Sequence, residues 1–170
     1  MPPESWLGIR SWKPPRLTTS SLSRLMVAEK LDYTGVIGVE FFVCDGELLV
    51  NEMAPRPHNS GHFTIDACVT NQFEQQVRVM AGLPLGSSRQ HSPAVMVNLL
   101  GDIWPLDSDN NRAEPSWELA YNAPQLKMHL YGKQEARAGR KMGHFTVINT
   151  SRDEALKVAL QVRSDLKIGE

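Results

Sequence analysis

The chain has 170 residues, 41% of them hydrophobic, and a formal net charge of −1 at pH 7. This apolar share suits the packed core of one domain or one and a half, and the near-zero charge argues against a protein that binds nucleic acid through bulk positive charge. No stretch approaches the roughly 18 consecutive apolar residues of a membrane span, and the N-terminus lacks the apolar core of a signal peptide.

The first two dozen residues form an irregular segment. Two proline pairs interrupt it, and a Ser- and Thr-rich stretch that resembles a linker follows. We expect residues 1–24 to be poorly ordered, and a frameshift, an altered start site or a cloning artefact would each explain them. A helix is predicted next, capped by Ser21 or Ser23 and ending at Asp32.

A β-hairpin with one carboxylate on each strand is predicted after this helix. Its strands run from Gly38 to Val43 and from Leu48 to Met53, and they carry Glu40 and Glu52. Two carboxylates that face each other repel unless something positive lies between them, and Mg²⁺ sites that hold polyphosphates use one or two protein carboxylates. The pair is therefore a candidate metal site, and the alternative is a hairpin whose glutamates are only solvated.

The register of the hairpin decides between these two possibilities. A two-residue loop at Asp45-Gly46 pairs Glu40 with Asn51 and turns Glu52 to the opposite face. A three-residue loop at 45–47 with a bulge pairs Glu40 with Glu52 on one face. Only the second register makes a shared metal site, so this is the register that we predict for a metal-binding protein.

A loop dense in polar groups follows the second strand. Because loops on a rigid scaffold concentrate binding groups, Arg56, Asn59 and Ser60 are candidate ligand contacts. The alternative is a turn in which Asn59 and Ser60 bond their own backbone. His58 and His62 have the spacing of a zinc-binding pair on a helix, but the intervening Pro57 and Gly61 disfavour a helix, so zinc is not expected.

The rest of the chain predicts alternating helices and strands. The predicted elements are a helix over 63–82 with Asn71 as a cap, a strand over 93–100, a loop over 102–115, a helical turn over 118–122, strands over 126–131 and 142–148, and a helix over 152–166 capped by Ser151. Cys44 and Cys68 make neither a disulfide framework nor a metal-ligand spacing. Reduced thiols of a cytoplasmic protein are therefore expected.

A basic cluster lies between the last two predicted strands. Its members are Lys133, Arg137, Arg140 and Lys141. Arg binds phosphate with a bidentate fork and Lys with a point charge, so the cluster is a candidate phosphate site. The alternative is a solvated, charged turn.

Two motifs give the chain a resemblance to a known family. The hairpin sequence Gly-Val-Glu-Phe-Phe-Val, followed at 51–62 by Asn-Glu-Met-Ala-Pro-Arg-Pro-His-Asn-Ser-Gly-His, resembles the carboxylate-amine ligases of the ATP-grasp superfamily. Within that superfamily it most resembles the 5-(carboxyamino)imidazole ribonucleotide synthases. Tyr-Gly-Lys at 131–133 and Arg-Ala-Gly-Arg-Lys-Met-Gly-His at 137–144 also match, although the family usually has Pro at the position of Ala138. The resemblance begins near Val27.

The resemblance implies an α/β (α+β) fold in two parts. Residues 25–90 are expected to form part of an ATP-grasp lobe with an antiparallel sheet and helices, and residues 91–170 a small β-rich C-terminal domain. The implied reaction is the ATP-dependent carboxylation of 5-aminoimidazole ribonucleotide with bicarbonate in purine biosynthesis. The implied setting is cytoplasmic, with a homodimer in the full-length family and with neither nucleic acid nor membrane as a partner.

The resemblance also implies roles for the candidate residues. Glu40 and Glu52 would hold Mg²⁺ on the ATP phosphates, with Asn51 and Glu52 in contact with the nucleotide, and Arg56 would steady the carboxyphosphate. Asn59, Ser60, Lys133, Arg137, Arg140 and Lys141 would contact the substrate, the basic cluster through the ribose 5-phosphate. The lobe that covers the nucleotide has no counterpart here, so the chain alone is expected to be inactive. A catalytically silent dimerisation or sugar-phosphate binding module is the alternative.

Overall fold

The computed structural model describes residues 30, 32–45, 47–106, 108–109 and 112–169. These residues form two compact units, which divide between His91 and Ser92. The segment 1–24 and nearly all of the predicted helix that ends at Asp32 lie outside the described residues. Among the helices that the structure describes, none is both long enough and apolar enough to cross a bilayer.

The first unit is built on an antiparallel hairpin of β1 (Gly38–Cys44) and β2 (Glu47–Ala54). Cys44 pairs with Glu47, and Asp45 has a φ of +50°, so the connection is a two-residue turn of the kind that needs left-handed backbone. The three-residue loop predicted at 45–47 is therefore wrong.

A bulge in β2 nevertheless produces the predicted pairing of the two carboxylates. Phe41 pairs with Val50 and Glu40 pairs with Glu52, so Asn51 is the extra residue of β2. An extra residue in one strand shifts every later pair by one position and so returns Glu52 to the register opposite Glu40. The pairing of Glu40 with Glu52 is confirmed, and the bulge rather than the turn length accounts for it.

Two short α-helices follow the hairpin among the described residues of the first unit: α1 (Thr64–Ala67) and α2 (Gln72–Met80). The single helical segment predicted over 63–82 is interrupted at Cys68, which has extended backbone and forms an isolated bridge with Gln90. The predicted cap is confirmed, since the side chain of Asn71 accepts hydrogen bonds from the backbone N–H groups of Phe73 and Glu74.

The described residues of the second unit form a three-stranded antiparallel sheet with two α-helices. Its strands are β3 (Ala94–Leu100), β4 (Leu126–Leu130) and β5 (Lys141–Ile148) in the order β3-β5-β4, and its helices are α3 (Trp117–Tyr121) and α4 (Arg152–Asp165). The central strand is buried continuously from Met142 to Val147. Ser151 caps α4 by accepting from the N–H of Glu154, as predicted.

The core of the second unit lies where α4 meets the sheet. Ala155, Ala159 and Val162 recur at helical spacing and are at most 2% exposed. They belong to one apolar cluster with Leu99 of β3 and Phe145 of β5. The mixed α/β character and the antiparallel sheets agree with the predicted fold class.

Candidate binding sites

Three titratable side chains meet at the end of the hairpin. One ligand atom each from Glu40, Glu52 and His58 lies within 4.8 Å of the other two. His58 Nε2 is 2.8 Å from Glu52 Oε1, and His58 Nδ1 is 3.5 Å from Glu40 Oε1. The side chain of Glu40 is 15% exposed and that of Glu52 53%, so one carboxylate is shielded while the other remains open to a ligand.

The hydrogen bonds of His58 indicate which ring nitrogen carries the proton. Nδ1 accepts from the backbone N–H of Ser60 and lies 2.9 Å from the Ser60 hydroxyl. In the neutral ring the proton therefore resides on Nε2, which donates to Glu52. His58 thus orients the carboxylate of Glu52, and Glu40 faces the unprotonated side of the ring.

This donor set fits a hard divalent cation. The two carboxylates supply the oxygen ligands that Mg²⁺ prefers, with room on the exposed side of Glu52 for phosphate and water. His58 then acts as the outer hydrogen-bond partner of a ligating carboxylate, a role that fixes ligand orientation. His58 is not among the ligand contacts predicted from the sequence, because its position between the two glutamates depends on the folding of the 55–62 loop.

Gly38 makes room for the imidazole of His58. A Cβ added at Gly38 would lie 2.9 Å from His58 Cβ and 3.2 Å from its Cγ. Gly38 pairs with Ala54. Because Gly38 lies two positions before Glu40 in β1, the two residues are on the same face of the strand. Beside Glu40, the missing side chain of Gly38 therefore leaves room for a side chain of the protein itself.

We expect Gly38→Ala to displace His58 and to lower the free energy of unfolding by about 1–3 kcal/mol, the usual cost of overpacking. Urea denaturation followed by circular dichroism measures this loss. Val43→Ala is the control on the same strand, because Val43 is 73% exposed and its truncation should change stability by about 0.5 kcal/mol or less. An unchanged free energy in Gly38→Ala would show that His58 has space to move.

The remaining polar candidates of the first unit lie around this cluster without joining it. Asn51 is the exposed bulge residue. The exposed Arg56 donates to the carbonyl of Pro57 at 3.1 Å. Asn59 and Ser60 begin a 3₁₀ turn, Asn59–Gly61, in which Ser60 bonds to His58 and the carbonyl of Asn59 accepts from the N–H of His62. The alternative in which this segment forms a self-bonded turn therefore describes its local structure, and ligand contacts by these residues stay predictions.

His58 and His62 do not form a zinc pair. Nδ1 of His62 lies 2.7 Å from Nε2 of Gln72, and the His62 ring lies 5.5 Å from that of Phe73. His58 is directed to the two glutamates instead. The residues between His58 and His62 include a 3₁₀ turn, Asn59–Gly61.

The basic cluster lies on a loop of the second unit between β4 and β5. Arg137 donates two hydrogen bonds to the carboxylate of Glu135, and Arg140 donates to the Glu135 carbonyl at 2.9 Å. The guanidinium of Arg137, followed by the charge of Arg140, holds the pKa of the Glu135 carboxyl below its ordinary value. The two arginines therefore converge on one residue, whose carboxylate presents oxygen acceptors to Arg137 as a bound phosphate would.

The two lysines of the cluster lie at the base of this loop. The ammonium of Lys133 donates to the backbone carbonyl of Lys141 and lies 5.3 Å from the centre of the Tyr131 ring. Lys141 begins β5 and is exposed. The arrangement leaves the arginines and lysines exposed to solvent, and phosphate binding by them stays a prediction.

The backbone of the basic loop is held against the turn that follows β3. The carbonyl of Arg140 accepts from the N–H of Gly101 at 2.8 Å, and the carboxylate of Asp102 accepts from the N–H of Gly139 at 2.7 Å. Ala136 is 8% exposed and belongs to the core. The guanidinium groups therefore extend from a fixed backbone, which is the condition for a preorganised anion site.

Comparison with known families gives two matches along the chain. Residues 12–73 match the ATP-grasp domain, and residues 94–158 match the phosphoribosylaminoimidazole carboxylase C-terminal domain. The first match starts well before Val27, so the resemblance extends further toward the N-terminus than the motifs indicated.

The curated relatives include enzymes named N5-carboxyaminoimidazole ribonucleotide synthase. The chain is 50% identical over 129 residues to the N5-carboxyaminoimidazole ribonucleotide synthase of Bacillus subtilis, covering 75% of this chain and 32% of that protein. It is 55% identical over 119 residues to the enzyme of that name from Brucella melitensis, covering 69% of this chain and 30% of that protein. The chain therefore spans about a third of the length of these curated relatives.

Solved structures agree with these sequence matches. The crystal structure of N5-carboxyaminoimidazole ribonucleotide synthetase from Thermotoga maritima is similar with a TM-score of 0.72 and 45% identity, covering 89% of this chain and 43% of that one. A synthase from Aspergillus clavatus, in complex with ADP and 5-aminoimidazole ribonucleotide, is similar with a TM-score of 0.69 and 30% identity, covering 91% of this chain and 42% of that one.

Proposed function

This chain belongs to the family of the N5-carboxyaminoimidazole ribonucleotide synthases, and we propose that it supplies metal-binding and phosphate-binding groups for the ATP-dependent carboxylation of 5-aminoimidazole ribonucleotide. The observation that carries the proposal is the convergence of Glu40, Glu52 and His58 at the end of a hairpin in the ATP-grasp match. Bicarbonate as carboxyl donor, a homodimer and a cytoplasmic setting are part of the proposal through the family resemblance.

In the proposed site, Glu40 and Glu52 would hold Mg²⁺ for the binding of ATP. The cation, when bound, neutralises the charge that develops on the transferred phosphoryl group. His58 keeps the carboxylate of Glu52 in its ligating orientation through the 2.8 Å hydrogen bond. Arg56 lies exposed at the start of the following loop, where its guanidinium would steady the carboxyphosphate.

The basic loop is proposed to bind the ribose 5-phosphate. Arg137 and Arg140 extend from a backbone that Gly101 and Asp102 hold in place, and Lys133 and Lys141 add positive charge at its base. The substrate phosphate would displace the Glu135 carboxylate from Arg137 and take over its hydrogen bonds. Catalysis of this kind consists of positioning and charge neutralisation, with no covalent intermediate on the enzyme.

A chimeric enzyme tests the proposed function directly. The 129-residue segment of the B. subtilis synthase that matches this chain is replaced by the corresponding residues of this chain. ADP release is measured with MgATP, bicarbonate and 5-aminoimidazole ribonucleotide, and we expect turnover within about tenfold of the parent, in the ordinary enzymatic range of about 1–1000 per second.

The same assay distinguishes a segment of a working ligase from a catalytically silent module. The chain by itself should give no substrate-dependent ADP release above background, because it spans only about a third of its relatives. A chimera that folds and melts like its parent but shows no turnover would favour the catalytically silent dimerisation or sugar-phosphate binding module. Turnover by the chain alone would show that the segment already contains a complete site.

Arg140→Ala tests the phosphate site in the chimera. A hydrogen bond to a charged partner contributes about 1.5–3 kcal/mol, so the KM for 5-aminoimidazole ribonucleotide should rise about tenfold to a hundredfold. Arg152→Ala, which removes another exposed positive charge, at the start of α4, is the matched control and should change KM by less than about threefold. Equal KM values for the two variants would show that the basic loop is a solvated, charged turn that does not bind the substrate phosphate.

A further inference from the structure

Gln72, the first residue of α2, is a buried amide that holds the loop of the candidate metal site. Gln72 as a whole is 9% exposed. Oε1 accepts from the backbone N–H of His58 at 2.8 Å, and Nε2 donates to the backbone carbonyl of His58 at 2.8 Å. Nε2 also lies 2.7 Å from Nδ1 of His62. One amide thus clamps both main-chain groups of His58.

These contacts determine the orientation of the Gln72 amide. A flipped amide would set its N–H₂ against the N–H of His58 and its oxygen against the His58 carbonyl, which are two repulsive contacts. The observed orientation uses both hydrogens of Nε2, so Nδ1 of His62 is the acceptor of the second one. The amide is therefore fully hydrogen-bonded within the protein, as buried polar groups require.

The loop also approaches Gln72 too closely for a side chain at Gly61. A Cβ added at Gly61 would lie 2.5 Å from Gln72 Oε1 and 2.9 Å from Cδ. The hydroxyl of Thr64 donates to the Gly61 carbonyl at 2.6 Å and accepts from the backbone N–H of Gln72 at 3.1 Å. Side chain and main chain of Gln72 therefore both tie the loop to the start of α2.

We propose that Gln72 is a positioning residue, which fixes the backbone of His58 so that its imidazole lies between Glu40 and Glu52. Movement of His58 toward β1 is restricted, because its Cβ and Cγ already occupy space that a Cβ at Gly38 would need. Its backbone cannot retreat, because both of its polar groups are bonded to Gln72. The 2.8 Å hydrogen bond from His58 to Glu52 is the product of these two constraints. The consequence for metal binding rests on the proposed function.

Gln75 provides a matched control on the same helix. Its amide also clamps a backbone, with Nε2 donating to the Gly86 carbonyl at 2.7 Å and Oε1 accepting from the Gly86 N–H at 3.0 Å. Gln72→Met and Gln75→Met remove the same chemistry from the same helix and retain similar side-chain volume. Only the first variant releases His58.

The experiment measures two properties of the 170-residue chain and its two variants. Imidazole NMR signals of His58, assigned through a His58→Gln variant, report its hydrogen bond to Glu52. Mn²⁺ titration followed by electron paramagnetic resonance reports metal affinity. We expect Gln72→Met to shift the His58 signals and to weaken Mn²⁺ binding about tenfold to a hundredfold, the usual effect of losing an outer-shell partner. Gln75→Met should leave both properties unchanged.

The two readouts separate failure of the inference from failure of the proposed metal site. Unchanged His58 signals in Gln72→Met, or equal shifts in both variants, would overturn the positioning role. Absence of Mn²⁺ binding in the wild-type chain would count against the metal site, while the His58 signals would still decide the role of Gln72. If Gln72→Met does not fold, Gln72→Glu replaces it with Gln75→Glu as control, because Glu retains the acceptor for the His58 N–H and loses the donor.

Discussion

Glu40→Gln and Glu52→Gln should each lower the turnover of the chimeric synthase by at least about a hundredfold. Each substitution preserves shape and removes one negative charge from the pair that faces across the hairpin. Stabilisation of the charge that develops in the transition state commonly contributes a factor of about 10²–10³ per group to turnover. A carboxylate that binds the metal contributes to this stabilisation by holding the cation in place. Steady-state ADP release at saturating MgATP measures the loss.

The control for this pair is Glu47→Gln. Glu47 lies at the start of the same strand, β2, and is exposed, and it pairs with Cys44 rather than with a carboxylate. Its substitution removes the same charge from the same hairpin and should leave turnover within about twofold. Equal activity of Glu40→Gln and Glu47→Gln would show that Glu40 does not hold a catalytic metal. Partial recovery of the Glu52→Gln variant at high Mg²⁺ would agree with a weakened metal site.

Gly101→Ala should destabilise the second unit by about 3 kcal/mol, at the upper end of overpacking costs. A Cβ at this position would clash with the carbonyl oxygen of Arg137 and lie 2.7 Å from the Arg137 nitrogen and 2.8 Å from the carbonyl carbon of Ala136. These are backbone atoms, which cannot rotate away as the end of a side chain can. The basic loop must therefore move, or the turn after β3 must open.

Hydrogen exchange measured by mass spectrometry on peptides from 94–148 resolves this effect within the second unit. Gly132→Ala is the matched control in the basic loop, because its φ of +65° makes Ala strained while nothing lies within 4 Å of an added Cβ. It should cost about 1–2 kcal/mol. Gly101→Ala should also raise the KM for 5-aminoimidazole ribonucleotide in the chimera. A Gly101→Ala protein as stable as the wild type would show that the loop is not held by this contact.

The local elements of the fold follow largely from sequence pattern. The strands of the second unit and helix α4 occur within a residue or two of their predicted ends, because apolar runs of strand length and the helix cap at Ser151 are local signals. The segment 63–82 is the exception. The extended backbone at Cys68, which breaks it into two helices, is stabilised by pairing with Gln90, a contact that no local pattern contains.

The candidate metal site was predictable in composition but only partly in geometry. Carboxylates isolated in apolar strands and the long polar motif after them identified Glu40 and Glu52 from the sequence alone. Their facing arrangement depends on a bulge at Asn51, and the two-residue turn by itself would have separated them. A bulge is an interruption of pairing that local residue preferences leave undetermined, so the predicted pairing of Glu40 with Glu52 is correct although the predicted turn is not.

The residues that the sequence did not reveal act through long-range contacts. Nothing in the order of residues distinguishes Gln72, which clamps the His58 backbone, from Gln75, which clamps Gly86 instead. Gly101 likewise became significant only where the basic loop lies against it. The sequence by itself determined the elements and the chemical groups available for binding, since both are properties of neighbouring residues. Tertiary packing decided which of those groups meet, because burial and close approach exist only once distant segments are in contact.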